Sequence, residues 1–167
     1  MFNQPIESWN TSQVTTMKGM FSVPPMFSVT NHYLNFNQPL GNWDTSRVTN
    51  MYGMLLSNIN FNGDVSTWNT SQVTTMKSMF AYAYVFNQPV GSWDTSKVTN
   101  MARLFLKAHA FNQDVSKWNT SGVTDMHRMF HEASTFNQPI ASWNTEKVNN
   151  MQLMFHHASA FNQDISS

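Results

Sequence analysis

The sequence predicts an α/β repeat solenoid, and three observations carry the prediction. The triplet Phe-Asn-Gln, once Phe-Asn-Gly, begins at Phe2, Phe36, Phe61, Phe86, Phe111, Phe136 and Phe161, and from Phe36 onward the spacing is constant. All six Trp, eleven of 13 Met and twelve of 13 Phe then fall at fixed places in that period. Only 11% of the 167 residues are charged, against about 25% in ordinary soluble domains. A 25-residue unit cannot bury so many large side chains alone, whereas stacked copies place each type on its own kind one coil away.

With the repeat Phe as position zero, the consensus is F-N-Q-[PD]-[IVL]-x-x-W-[ND]-T-S-x-V-T-x-M-x-x-M-F-x-x-A. The units read as a single domain: 2–35 with an inserted loop at 22–35, then 36–60, 61–85, 86–110, 111–135, 136–160 and a partial unit at 161–167. The gap from Phe2 to Phe36 is longer than the others by nine, and Pro24-Pro25 marks the excess as a surface loop. The expected core is the Trp column (Trp9, Trp43, Trp68, Trp93, Trp118, Trp143), the Phe column (Phe36, Phe61, Phe86, Phe111, Phe136) and the Met column (Met51, Met76, Met101, Met126, Met151).

Within a coil, position three is Pro in four units and Asp in three. Proline lacks an N–H and is excluded from central ladders, so a short parallel strand is expected after it, over positions four to seven. Asn or Asp followed by Thr-Ser then supplies capping residues. Apolar positions twelve, fifteen, eighteen, nineteen and twenty-two recur every three or four residues, the spacing of one helical face. This predicts about two turns of α or 3₁₀ helix, such as 123–133. One strand and one short helix per coil is the layout of a leucine-rich-repeat-like solenoid. A two-sheet β-solenoid, with V-T-x-M as a second strand, is the alternative. Pro and Asp alternate at position three from the second unit onward; separation of like charges and duplication of a two-coil unit account for this equally well.

The run W-[ND]-T-S-x-V-T-x-M-x-x-M-F, present through the chain apart from the insertion, resembles the 25-residue repeat of the BspA-like leucine-rich-repeat surface proteins, in the form found in mycoplasma lipoproteins. The resemblance implies a non-enzymatic, extracellular or cell-surface array used in adhesion or display. It supplies no catalytic residue to carry over.

Composition narrows the function classes. The absence of Cys removes disulfide scaffolds, thiolate zinc sites and thiol nucleophiles. A net charge of zero without a basic cluster gives no footprint for nucleic acid or anionic lipid, and no stretch reaches the roughly 20 apolar residues of a membrane span. No nucleic acid, membrane insertion or cofactor is expected. Among the six His, His127 and His131 are four apart and His156 repeats the place of His131, beside His157, so four imidazoles are weighed as a metal site. Outward, variable positions favour solvated histidines instead. Asn10, Asn69 and Asn119 begin Asn-Thr-Ser glycosylation sequons, but Asp at the same place in other coils favours a local backbone-bonding role.

The leading functional expectation is a protein-interaction, adhesion or display module. A structural spacer or accessory subunit is second, and a carbohydrate- or ice-binding face built on the Thr columns is third. Partners are expected to be another protein or a further copy meeting the uncapped ends, and the chain is expected to be a segment of a longer array.

Overall fold

The computed structural model describes residues 2–23 and 34–166. Residues 24–33, the middle of the expected loop, lie outside the described residues. Successive units lie on one another in parallel, held in the register of the repeat by single bridges Asn50–Thr75, Thr75–Asn100, Asn100–Asp125 and Asp125–Asn150. Thr16–Asn50 closes the first junction across the longer first unit, so the insertion leaves the register of the stack unchanged.

The expected α/β layout does not form. Among the described residues there is no helix, and pairing is confined to isolated bridges, one at position fourteen of each coil and one between Leu34 and Asn58. The expected strand over positions four to seven is a turn, closed in the fourth coil by Trp93 N–H on the Val90 carbonyl at 3.2 Å. The expected second strand at V-T-x-M reduces to the position-fourteen bridge residue.

In place of the helix, positions fifteen to twenty-two form consecutive β-turns. In the fourth coil Leu104, Leu106 and Ala108 donate to the carbonyls of Met101, Arg103 and Phe105 at 3.1, 3.2 and 3.0 Å. The alternate N–H groups of Met101, Arg103, Phe105 and Lys107 donate to Asp125, His127, Met129 and His131 of the next coil at 3.0, 2.9, 2.9 and 2.8 Å. Every second amide therefore serves the turn and every other one the stack. A helix needs all of these amides within its own segment, and the ladder to the neighbouring coil takes half of them. Apolar spacings of three and four suggest a helical face, yet a chain of turns brings side chains inward at the same spacings.

These turns require a left-handed residue at positions seventeen and twenty-one. Gly19 and Gly53 fill the former with φ of 62° and 60°, where glycine meets no Cβ penalty. Other coils use Ser78, Arg103, Arg128 and Leu153 there, with φ between 55° and 58°.

We call positions zero to eight of each coil the first wall and positions thirteen to twenty-two the second. They face each other across aromatic layers. Phe105 of the second wall stacks on Phe111 of the first at 3.7 Å and lies 6.1 Å from Trp118. Phe61, Phe86, Phe111 and Phe136 form a column with centroids 6.0–6.1 Å apart. Each interior Trp has its indole N–H bound to a carbonyl of the previous coil, as in Trp118 to Val90 at 2.9 Å, so a large ring is buried without an orphaned donor. On the outer edge, each position-one Asn amide oxygen accepts the N–H of its counterpart in the next coil, as in Asn112 to Asn87 at 2.9 Å.

Candidate binding surface

The core columns take their expected places except at the two ends. Phe36 to Phe136 and Met51 to Met126 are fully buried, and Trp43 to Trp143 nearly so. Trp9 is 52% exposed and Met151 42%, which corrects their assignment as core: within the described stack no coil lies over them. At one end Trp9, Val14, Met17 and Met20 line an apolar hollow; at the other, Ile140, Trp143, Met151, Met154 and Ile165 line a second. The ends are also complementary in hydrogen bonding. The carbonyls of Thr16, Lys18 and Met20 lack the donors that a preceding coil would supply, and the N–H groups of Met151, Leu153, Phe155 and His157 lack partners among the described residues.

The corner between the walls explains the sequons. Asn10, Asn69 and Asn119 each accept the backbone N–H of the Ser two residues on, at 3.0–3.1 Å. Asp44, Asp94 and Asn144 accept the equivalent bond at 2.9 Å. One turn role thus covers all six copies, and the three sequon Asn are exposed. In the next column Thr45, Thr70, Thr95 and Thr120 are buried, each hydroxyl donating to a carbonyl of the following coil at 2.9–3.0 Å. These hydroxyls are consumed inside the stack. The position-thirteen hydroxyls of Thr49, Thr74, Thr99 and Thr124 donate to the preceding coil at 3.1–3.2 Å.

Three of the four candidate imidazoles meet. His131 stacks on His156 at 4.8 Å, and His157 stands edge-on to His156 at 4.0 Å. His127 does not join them, and among the described residues no group of three or more His, Asp or Glu is placed to hold a metal ion. His131 Nε2 instead faces Glu132 at 3.1 Å, and Lys107 Nζ reaches the other Glu132 oxygen at 3.3 Å. Burial pushes the His131 imidazole below its ordinary value, opposed by Glu132 and assisted by His156. Burial works to raise the Glu132 carboxyl, but Lys107 and His131 outweigh it and hold the group low.

Charge is divided between the walls, which the linear sequence conceals. Six of nine acids, Glu7, Asp44, Asp64, Asp94, Asp114 and Asp164, lie on the first wall with Lys117 as its one cation. Hydrogen bonds from Ser46 and Ser96 hold Asp44 and Asp94 below the usual carboxylate range, and Ser66, Ser116 and Ser166 do so for Asp64, Asp114 and Asp164. The second wall carries Lys18, Lys77, Arg103, Lys107 and Arg128 against only Asp125 and Glu132. The expectation that no basic cluster exists is corrected here. Lys77, Arg103 and Arg128 are separated by about a full repeat in sequence and occupy adjoining coils in the fold.

A stack of turn-built coils with a repeated interior and two unlike walls defines a tandem-repeat protein. The chain belongs to the family described as Mycoplasma protein of unknown function, DUF285, whose profile matches residues 2–100 and again 88–167. No curated protein and no solved structure matches the chain.

Proposed function

We propose that the protein is a non-enzymatic interaction scaffold of the cell surface, engaging its partner through the second wall. The observation that carries this reading is the contrast between interior and exterior of that wall. Its inward positions repeat Met, Met or Leu, and Phe or Leu in every coil, while the left-handed positions change from buried Ser78 and half-buried Tyr82 to half-buried Arg103 and Lys107 and then Arg128 and Glu132. A constant frame with a changing exterior suits recognition, since surface variation leaves the stacked core intact. The resemblance to BspA-like surface proteins supports the cell-surface location and the adhesive role. Among the described residues, no helix is long and apolar enough to cross a membrane.

Beads coated with the protein provide the test, scored for attachment to host cells. Wild-type beads are expected to attach. Replacing Tyr82, Arg103, Lys107 and Arg128 by Ser should abolish attachment, and replacing Thr67, Ser92, Lys117 and Ser142 on the first wall by Ala should preserve it. Loss from the first-wall set alone overturns the reading.

The complementary ends favour a second reading, that of a spacer within a longer stack. A further coil, of the same chain or another, would meet the free carbonyls and N–H groups in the register the stack already uses. Residues 161–166 already cover the first-wall half of one end, through Asn162 N–H on Asn137 at 3.0 Å and Phe161 on Phe136 at 5.9 Å. A separate copy docking there has to displace them, which disfavours end-to-end assembly of copies. Sedimentation of the 167-residue chain as a monomer at high concentration is the expected result; concentration-dependent linear oligomers would reverse that preference.

A further inference from the structure

We propose that Lys77, Arg103, His127 and Arg128 form a site for the sulfate groups of an anionic polysaccharide laid along the stack. The proposal rests on the reading of the second wall as the binding face, and names the chemistry that wall recognises.

The four residues gather by the coil repeat. Arg103 and Arg128 occupy the same position in adjoining coils, and the Arg103 N–H donates to the His127 carbonyl at 2.9 Å. Lys77 holds the His127 position two coils earlier. Coils of paired chain are about 4.8 Å apart, so the cations make a short ladder along the stack axis. A linear polyanion matches that repetition better than a single ion does.

The cations differ in whether their side chains have a partner, and among the described residues only Lys107 faces a carboxylate. Arg47 bonds Gln13, Lys97 bonds Gln72, Lys107 pairs with Glu132 and Lys18 lies over the Tyr52 ring. Lys77, Arg103 and Arg128 have no side-chain hydrogen bond or ion pair among the described residues, and the Nε atoms of Arg103 and Arg128 are buried without an acceptor. The one acid beside them, Asp125, is already bonded through Oδ1 to the His127 N–H at 3.0 Å. Burial first, then the fields of Arg103, Arg128 and Lys77, depress the His127 imidazole, with Asp125 opposing; Lys77, Arg103 and Arg128 set against Asp125 leave the cluster with net positive charge. The Nε atoms themselves are out of reach of solvent, but an oxyanion can meet the outer guanidinium nitrogens, and guanidinium groups bind such oxygens in paired, charge-assisted hydrogen bonds.

The backbone conformation here is set by the turn, since Ser78 and Leu153 hold the same left-handed φ of 57° in other coils. Both Arg hold a left-handed φ, 58° and 55°, where a non-glycine residue is strained. Two coils place glycine there without that strain. Nucleic acid is the weaker alternative, because single strands are held by rings on which bases stack and none of the four residues is Phe, Tyr or Trp.

The experiment is equilibrium binding of the full chain to dextran sulfate, with unsulfated dextran and a single-stranded polynucleotide in parallel, across a salt series. Arg103→Ser with Arg128→Ser removes two cations while installing the residue that Ser78 already provides at that position with φ 57°. Lys117→Ala with Lys147→Ala removes equal charge elsewhere. Wild type and the Lys pair are expected to bind dextran sulfate and not dextran. The Arg pair should bind about tenfold or more weakly, as expected for lost charge-assisted hydrogen bonds, with a salt slope roughly halved by reduced counterion release. Equal weakening by both pairs, no effect of the Arg pair, or tighter binding of the polynucleotide at matched salt overturns the proposal. The bead assay is read separately, so a failed sulfate site leaves the wall as binding face to stand or fall alone.

Discussion

Arg103 and Arg128 sit where the turn asks for glycine, and their placement sets stability against recognition. Arg103→Gly with Arg128→Gly removes a left-handed strain of about 1 kcal/mol or more at each site, partly offset by the greater freedom of glycine in the unfolded chain. A higher Tm together with weaker anion binding is the expected pair of results, and a lower Tm would show that the left-handed positions carry no strain. His131 behaves differently. Its folded-state imidazole lies below the ordinary value of 6.5, so the unfolded chain takes up its proton first as the pH falls. The stability contributed is therefore full above about 6.5 and is lost on acidification below it. Glu132, His156 and Arg128 are the charged groups acting on that ring, with Lys107 paired to Glu132. Leu occupies the same position at Leu56 and Leu106, and His131 Nδ1 is buried without a partner. His131→Leu should leave Tm at about pH 7.5 unchanged or higher and flatten its fall toward about pH 5; an unaltered pH profile would assign the acid sensitivity elsewhere.

At the scale of one coil, the packing is legible in the sequence and the backbone is not. The Trp, Phe and Met columns follow from identity at a fixed period, because only stacked copies bury them. A helix at 123–133 is a misreading because turns bring Val123, Met126, Met129, Phe130 and Ala133 inward at the spacing a helix would use. Long residues such as Arg103, Arg128 and Leu153 at left-handed positions hide the signal that glycine gives at Gly19 and Gly53. The cation cluster is hidden too, since its members adjoin only once coils are stacked. Two kinds of substitution probe the coil contacts. Trp118→Phe removes the indole bond to Val90 and some volume, for a loss of about 1–3 kcal/mol, and Trp118→Ala should lose about 3–5 kcal/mol. Gly91→Ala would place a Cβ 2.4 Å from the Asp114 carbonyl oxygen, which forces the coils apart and should lower stability by about 1–3 kcal/mol. Urea denaturation measures both. A neutral Gly91→Ala would mean that this coil junction yields freely.

For the whole molecule, stability is the sum of coils and the junctions between them, with six of nine acids on the first wall and five of nine cations on the second. Deleting 86–110 joins Val85 to Phe111 and keeps the register, so a cooperative transition at lower Tm is expected. Deleting 86–97 breaks the register and should unfold the chain; equal tolerance of both deletions would contradict the stacked account. The central claim is that the second wall donates alternate amides to the next coil instead of to a helix. Through-hydrogen-bond scalar coupling in a long-range HNCO spectrum tests it most directly. A correlation from the Arg103 amide to the His127 carbonyl, with Leu104 to Met101 beside it, is the expected result. A correlation from Arg103 to the Thr99 carbonyl, four residues back, would place a helix there and contradict the account.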